Sequence, residues 1–501
     1  MRTSAERLNP RAEAVAGSLG FQSLFRAADR NVFVLLAVMC CAALGLVFSA
    51  GLIGADSWLS LLGGRTVFQD GLPHRELLTV WGHGRRLVDQ QWLAQIGMYG
   101  LFRLGGMGVL VLATLAATLL SVGSLIALSR RGGASALAAA IVVIPLFLLI
   151  LPAAGVRAQT FAYPSFAAVV WILWGGRNRP SPARLAATLP ILAVWANMHG
   201  SVLLGAGLVT LAAAESVVRR RDPRLIPLVV APTAAALASP YGFELVRYYR
   251  KVLVNPAFGK YVTEWQAPSI RQQTLFFILG LAATALIAAR HQRFAPSELI
   301  AFALTTIGGF FAVRNIVWFA LLMLFLLPRS LDLDLGRGGG QRHPRLNVAL
   351  ISVSALVVVV LAIAAASRTD TELSPAYRPA ALAAVRRAVA IHPRAPIWSD
   401  ERYADWLLFD LPSARGRVLF DARFELLTPS ELIAISDFRF HVGAHWSAPL
   451  DGVGTLVVPK STLANALELV ACRGGRIVYS DAALVVASLN VTTRTASRRD
   501  C

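Results

Sequence analysis

The sequence predicts a polytopic α-helical membrane protein that ends in a small α/β domain, and three observations carry the prediction. Of 501 residues, 56% are hydrophobic and only 15% charged, against roughly 25% charged in soluble globular proteins. About eleven apolar runs are long enough, or nearly so, for a hydrocarbon core that takes about 20 helical residues to cross. After residue 366 the pattern changes to short apolar strands alternating with amphipathic helices.

The apolar runs fall at 32–54, 106–128, 134–153, 160–175, 185–197, 200–218, 225–239, 275–289, 297–313, 315–328 and 346–366. Met198-His199-Gly200 alone divides two of them, which reads as a break in which one arm is re-entrant. Arginine marks every second loop: Arg2 to Arg30 before the first run, then Arg130-Arg131, Arg177 to Arg184, Arg219 to Arg224, Arg290 with Arg293, and Arg329 to Arg345. By the positive-inside rule these ends face the cytoplasm of a bacterial inner membrane. The resulting organisation is a cytoplasmic segment 1–31, a membrane domain 32–366 with an outer loop 56–105, and an extracytoplasmic α/β domain 367–501. A flexible linker, Asp332 to Pro344, precedes the last span.

The formal charge of +20 is almost all Arg, because Lys occurs only at 251, 260 and 460. Topology accounts for most of it. No block of alternating basic and aromatic residues tracks a phosphate backbone, so nucleic acid is excluded as a partner. Four Cys are too few for a disulfide scaffold. Cys40 and Cys41 lie in an apolar run, and Cys472 with Cys501 is a candidate pair. There is no internal repeat, no P-loop and no Gly-x-Ser-x-Gly elbow.

The outer loop opens with Asp56 at the exit of the first run and continues through Asp70, Glu76, His83 and Asp89. Trp58, Trp81 and Trp92 suit the headgroup level, and the stretch after Trp92 fits an interfacial amphipathic helix. A carboxylate held at a membrane surface serves as general base or as ligand to a divalent cation such as Mg or Mn. Asp56 equally fits the cap of a helix that follows the first run. Arg157, His199 and Arg314 sit at the ends or breaks of runs on the same side as Asp56. Ionisable residues at such depth are costly without a partner, about 2.5–3.5 kcal/mol on insertion scales. An arginine fork suits a phosphate, so these three read as donor-phosphate ligands. Asn197 and Glu264 read as orienting residues, with Asp56 the tentative metal ligand. The stretch from Pro240 to Thr274 mixes Tyr, Trp and both charges, a composition for sugar or headgroup contact or for an anchored interfacial helix. His441 and His445 are i, i+4, yet no Glu-x-x-His context accompanies them.

Several motifs carry a resemblance: Asp56 with Trp58, Gly64-Arg65, Asp70 to Pro73, Trp92-Leu93, Trp195 to Gly200, Ser239 to Gly242, and Glu264-Trp265. In these the chain resembles bacterial polytopic proteins of the GT-C glycosyltransferase type, over nearly its whole length. The resemblance implies a carboxylate just after the first helix in a long outer loop and a soluble domain after the last helix. It also implies sugar transfer from a polyprenyl-phosphate-linked donor to an envelope acceptor, with membrane lipids around it; nothing points to a protein partner. The chain departs from the pattern at Asp89-Gln90-Gln91, where His-Glu is expected before Trp-Leu. Asp56 is then the expected base, with Asp70 or Asp89 as a second carboxylate. The competing expectation is a non-catalytic membrane transporter or envelope assembly factor. An O-antigen-ligase-like enzyme fits less well, because its large outer loop belongs between late helices.

Overall fold

The computed structural model describes residues 29–176, 180–331, 333 and 343–491. The N-terminal arginines through Arg26, Arg177 and Arg179, most of the linker 332–344, and Cys501 with its pairing to Cys472 lie outside the described residues. The helices in chain order are α1 (Val32–Val47), α2 (Ala55–Asp70), α3 (Trp92–Arg131), α4 (Ala136–Ile150), α5 (Tyr163–Trp174), α6 (Thr188–Ala196), α7 (Val202–Arg220) and α8 (Pro227–Ala236). They continue with α9 (Glu244–Leu253), α10 (Thr274–Ala289), α11 (Pro296–Phe311), α12 (Ile316–Ser330) and α13 (Pro344–Ala366), joined by short helical turns. Each of the eleven apolar runs therefore carries a helix. Five helical stretches are long and apolar enough to cross a membrane by themselves: Trp92–Arg131, Ala136–Ala153, Val202–Arg220, Val313–Ser330 and Pro344–Ala366.

The outer loop is mostly ordered helix. In α2 the Ser57 hydroxyl accepts from the Gly54 backbone N–H, closing its first turn. The helix α3 is two helices broken at Gly105 and Gly106, and Gly106 has φ 63°, a conformation that favours glycine. The half that resumes at Met107 is capped from afar, its N–H donating to Asp370 Oδ1 at 2.9 Å. The 92–104 arm is thus separated from the long apolar arm, as the interfacial-helix expectation requires.

Both ends of the helical layer can be told apart. Arg130 reaches Asn31 Oδ1, Arg329 packs against Gly132 and pairs with Glu298 at 2.5 Å, and Arg220 bonds Pro180. The basic stretches among the described residues gather there. His199 and Arg314 precede α7 and α12, whose far ends carry Arg219-Arg220 and Arg329. At 1.5 Å per residue the 19 residues of α7 hold its two ends about 28 Å apart. The middle of the layer is α12, buried at nearly every position from Ile316 to Pro328.

Beyond α13 lie α14 (Pro379–Ile391), β1 (Ile397–Ser399), α15 (Glu401–Asp410), α16 (Pro429–Phe440), β2 (Thr455–Pro459), α17 (Leu463–Arg473), β3 (Gly475–Ser480) and β4 (Leu484–Leu489). The sheet order is β1-β2-β4-β3, parallel between β1 and β2 and antiparallel elsewhere. Strand alternation divides its two faces. Val457, Leu484 and Val486 pack with α14 and α15, while Leu456, Val458, Val485, Ala487 and Leu489 pack with α16 and α17. The apolar run 418–420 forms no named strand. Instead Val418 bridges both Ile397 and Thr79, so the outer loop continues the sheet edge.

That junction explains several motif residues. Gly64 lets α2 approach α3 closely, since a Cβ there would stand 2.1 Å from the Gln95 carbonyl. Arg65 donates to the Phe409 and Leu408 carbonyls at the end of α15. The headgroup placement of the tryptophans does not hold for two of them. Trp58 is buried against Tyr377 and Phe409, and Trp81 stacks on Phe420 with Trp398 at its edge. Burial of aromatic area between the loop and the α/β unit outweighs interfacial anchoring.

Candidate functional site

A cavity of about 590 Å³ opens between the helical layer and the α/β unit, on the face away from the arginine-rich ends. Sequence-distant segments build it. The first turn of α2 brings Asp56, the connection between α4 and α5 brings Arg157, and the α6–α7 break brings His199. The stretch after α8 brings Tyr248, Tyr249 and Glu264, the α11–α12 turn brings Arg314, and the α/β unit adds Glu401, Arg423, Glu425 and Arg439. Trp318 forms part of the floor, resting on Tyr163, Phe166 and Trp195.

Arg157 is the hub. The Val156 N–H donates to the Leu52 carbonyl at 2.8 Å, which ties this loop to the end of α1 beside Asp56. Arg157 Nη1 then donates to Asp56 Oδ2 at 3.2 Å and to Glu264 Oε1 at 2.9 Å. The guanidinium side chain is 13% exposed, whereas the two carboxylates are 47% and 48% exposed toward the cavity. Burial opposes the charge on Arg157, but Glu264 and Asp56 more than compensate and hold its pKa above the usual arginine range. Burial also pushes Glu264 up, yet Arg157 and Arg314 bring it below the usual carboxylate range, so it is ionised at neutral pH.

Arg314 is positioned where Val313 N–H bonds the Gln266 carbonyl at 3.0 Å. Its guanidinium lies 4.5 Å over the Trp265 ring, and among the described residues it has no carboxylate within ion-pair distance. It is a cation oriented by an aromatic face rather than neutralised. His199 is 7% exposed. Burial, then Arg314 and Arg157, hold its pKa well below the ordinary histidine value, so the ring is neutral. Its Nδ1 accepts from the Ser201 backbone N–H at 3.1 Å, which leaves the proton on Nε2.

Asn197 orients this break without lining the cavity. Its side-chain amide donates to the Ala193 and Ala238 carbonyls while its oxygen accepts from Trp92 Nε1, so it clamps α6, the 238 turn and the start of α3 together. Two of the expected carboxylates stand apart from the Asp56 cluster. Asp70 ends α2, exposed, 14 residues and therefore about 21 Å of helix from Asp56. Asp89 is outside the cavity lining, its carboxylate accepting from the Gln91 N–H, and burial pushes it up to about 6 against the pull of Arg423 and the Gln91 N–H.

The α/β unit adds its own ionisable groups to the cavity wall. Burial holds the Glu425 carboxyl up at about 7, with Arg423 pulling the other way. Burial and the neighbouring Asp400 raise Glu401 to about 7, opposed by Arg439, its ion-pair partner. The sequence signal was the pair of charged strings Asp400-Glu401-Arg402 and Asp421-Ala422-Arg423-Phe424-Glu425; nothing local said that they face the membrane domain. His441 closes α16 in the left-handed conformation and stacks on Trp446.

For a divalent cation, Asp56 and Glu264 are the pair of carboxylates that converge on one point, and the Arg157 guanidinium sits between them. Among the described residues no group of three or more His, Cys, Asp or Glu is arranged to hold a metal. Two carboxylates already bridged by an arginine do not fit a resident cation.

No protein-family model and no curated protein matches the chain. Solved structures do. The archaeal oligosaccharyltransferase AglB from Archaeoglobus fulgidus, in complex with an inhibitory peptide and a dolichol-phosphate, is 12% identical with a TM-score of 0.51, covering 85% of this chain and 69% of that one. The Archaeoglobus fulgidus oligosaccharyltransferase tethered with an acceptor peptide gives 13% and 0.50 over the same shares. ArnT from Cupriavidus metallidurans, bound to undecaprenyl phosphate, is 16% identical with a TM-score of 0.47, covering 94% of this chain and 98% of that one. The likeness is one of fold: over 85% of its length this chain shares the architecture of the AglB structures, and five of its helical stretches are long and apolar enough to cross a membrane.

Proposed function

We propose that the chain is an inverting glycosyltransferase of a bacterial inner membrane. It takes a sugar from a polyprenyl-phosphate donor and passes it to an envelope acceptor on the outer face, with the N-terminus cytoplasmic and the α/β unit extracytoplasmic. The observation that carries this reading is the convergence in one cavity of a paired arginine, an unpaired arginine and a neutral histidine beside two exposed carboxylates. The dolichol-phosphate named in the AglB structure agrees with such a donor.

The step is a single displacement. The acceptor hydroxyl attacks the anomeric carbon, the bond from that carbon to the phosphate oxygen breaks, and the hydroxyl proton passes to the Asp56 carboxylate. Only Asp56 Oδ2 is engaged by Arg157, so Oδ1 is open to the acceptor. The leaving phosphate gains charge as the bond breaks. Arg314, the Nη2 of Arg157 and the His199 Nε2–H are fixed donors for that charge, and Glu264 keeps Arg157 aimed. No step is routed through a metal.

The test compares lipid-linked sugars and envelope glycans in cells carrying the intact chain, a deletion, or Asp56→Asn. Loss of one glycan with build-up of its lipid donor, in the deletion and in a stably expressed Asp56→Asn chain, is the expected result. An Asp56→Asn chain that restores the glycan to a deletion strain removes the base assignment and moves a transporter or assembly factor ahead.

A further inference from the structure

Two residues of the cavity wall each carry a buried polar atom that has no hydrogen-bond partner among the described residues. Gln90 is 2% exposed and Tyr249 8% exposed, and both line the cavity. The Gln90 amide is fixed by its Nε2, which donates to the Ala196 carbonyl at 3.0 Å. Its Oε1 is therefore turned the other way and accepts nothing. The Tyr249 hydroxyl is likewise without a hydrogen bond. The two converge on Gly200, where a Cβ would stand 3.4 Å from Gln90 Oε1 and 3.4 Å from Tyr249 Cε1.

Unsatisfied buried polar atoms cost about 1–3 kcal/mol each, so their retention side by side in a cavity wall points to a ligand that satisfies them. The chemistry of that ligand is constrained. A fixed amide oxygen accepts only, so it repels phosphate oxygens and needs an O–H or N–H donor. An isoprenoid chain supplies none. The phenol donates as well as accepts, a combination matched by a ring hydroxyl.

We propose that Gln90 Oε1 and the Tyr249 hydroxyl, across Gly200, form a neutral subsite that binds the hydroxyls of the transferred sugar, separate from the arginine-lined phosphate site. The inference rests on the transferase reading and names the part of the substrate that this wall reads. Sites built to hydrogen-bond a substrate hydroxyl discriminate strongly, because their own groups are orphaned when it is missing.

The test uses the full chain in detergent and measures its affinity for undecaprenyl phosphate and for the same lipid phosphate carrying glucose, galactose or mannose. In the wild type at least one glycosylated lipid binds about tenfold more tightly than the bare phosphate. Tyr249→Phe and Gln90→Leu each erase about tenfold of that preference and leave affinity for the bare lipid within twofold, a loss in line with one buried hydrogen bond. Tyr249→Phe also raises the melting temperature of the unliganded protein, because it removes a buried orphan. If Gln90→Leu fails to fold, Tyr249→Phe decides, since it deletes an atom with no partner. Variants that keep the preference, or lose both lipids equally, overturn the subsite, as does a wild type that binds the bare lipid and shows no preference for any sugar. A wild type that binds neither kind of lipid overturns the transferase reading itself.

Discussion

Replacing Arg157 by Gln separates a binding role from a structural one. The side chain is 13% exposed and makes two ion pairs from a single nitrogen, at 3.2 Å to Asp56 and 2.9 Å to Glu264. Both carboxylates are nearly half exposed, so solvent screens them and each pair is worth about 0.2–1 kcal/mol. The stability cost of removing the arginine is then about 0.4–2 kcal/mol for the two pairs together, a shift of at most a few degrees in melting temperature. The catalytic cost is larger. Loss of one preorganised donor to a developing charge lowers kcat by about 10²–10³-fold, equal to about 2.7–4 kcal/mol. A second signature follows from Glu264, whose carboxyl lies below its ordinary range because of Arg157 and Arg314. A depressed carboxyl contributes stability above its unfolded pKa and loses it as pH falls through the folded value. Without Arg157 that protection shrinks, so acid unfolding begins at a higher pH. The assay is transfer of labelled sugar from a polyprenyl-phosphate donor, with kcat and KM resolved, beside melting curves from pH 3 to 7. An Arg157→Gln protein that folds and keeps kcat within tenfold refutes the phosphate role. One that loses more than about 4 kcal/mol of stability shows that the arginine is mainly a structural post.

Three further outcomes are expected. Gly64→Ala pushes a Cβ to 2.1 Å from the Gln95 carbonyl and destabilises by about 1–3 kcal/mol, whereas Gly97→Ala, with open space around it, is nearly neutral; equal melting temperatures would remove the close-approach argument. Burial raises the Glu425 carboxyl to about 7, so the folded state binds more protons than the unfolded one and stability falls as pH rises from about 4.5 to 7. Glu425→Gln accordingly raises the melting temperature at pH 8 and leaves it unchanged at pH 4, a difference that a pH series of thermal melts checks. Chelation with EDTA leaves transfer within about twofold, because Arg157 occupies the place between Asp56 and Glu264; loss of activity restored by Mg or Mn would show the carboxylates exchanging that arginine for a cation.

The helical layer was legible in the sequence because its signal is local. An apolar run is hydrophobic whatever it packs against, and each of the eleven runs carries a helix. The tail's strands were equally plain, apart from 418–420, whose partner is Thr79, some 340 positions away. Long-range pairing leaves no periodicity to read. The site was half legible for the same reason. Asp56, Arg157, His199, Glu264 and Arg314 share a cavity because ionisable residues at the ends of apolar runs are conspicuous there. Asp70 was misplaced because a helix, not a loop, separates it from Asp56, and 14 residues of helix are a rod. Glu401 and Glu425 lie in charged strings of the tail, and charge alone does not say which neighbour a surface faces. Gln90 drew notice only as a departure from an expected His-Glu. Its value lies in an amide pinned at one end, which is a property of tertiary contact.

The cavity belongs to neither half of the chain alone. Arg423 in the tail pairs with Glu76 of the outer loop at 2.5 Å, and that glutamate is 1% exposed while it also accepts the Leu78 and Thr79 N–H groups. Arg85 answers in the other direction with a bidentate contact to Glu431. Between these pairs the backbones of Val80 and Trp81 bond the Val418 and Leu419 carbonyls. Breaking a buried pair by removing one partner costs about 3–5 kcal/mol, so the loop and the α/β unit hold each other in place more firmly than a surface-charge interface would. Since the loop begins with Asp56 and the unit supplies Glu401, Arg423, Glu425 and Arg439 to the same cavity, the carboxylate on the helical side shares its cavity with residues 345 to 383 places further along. The α/β unit is therefore a wall of the cavity rather than an appendage to it.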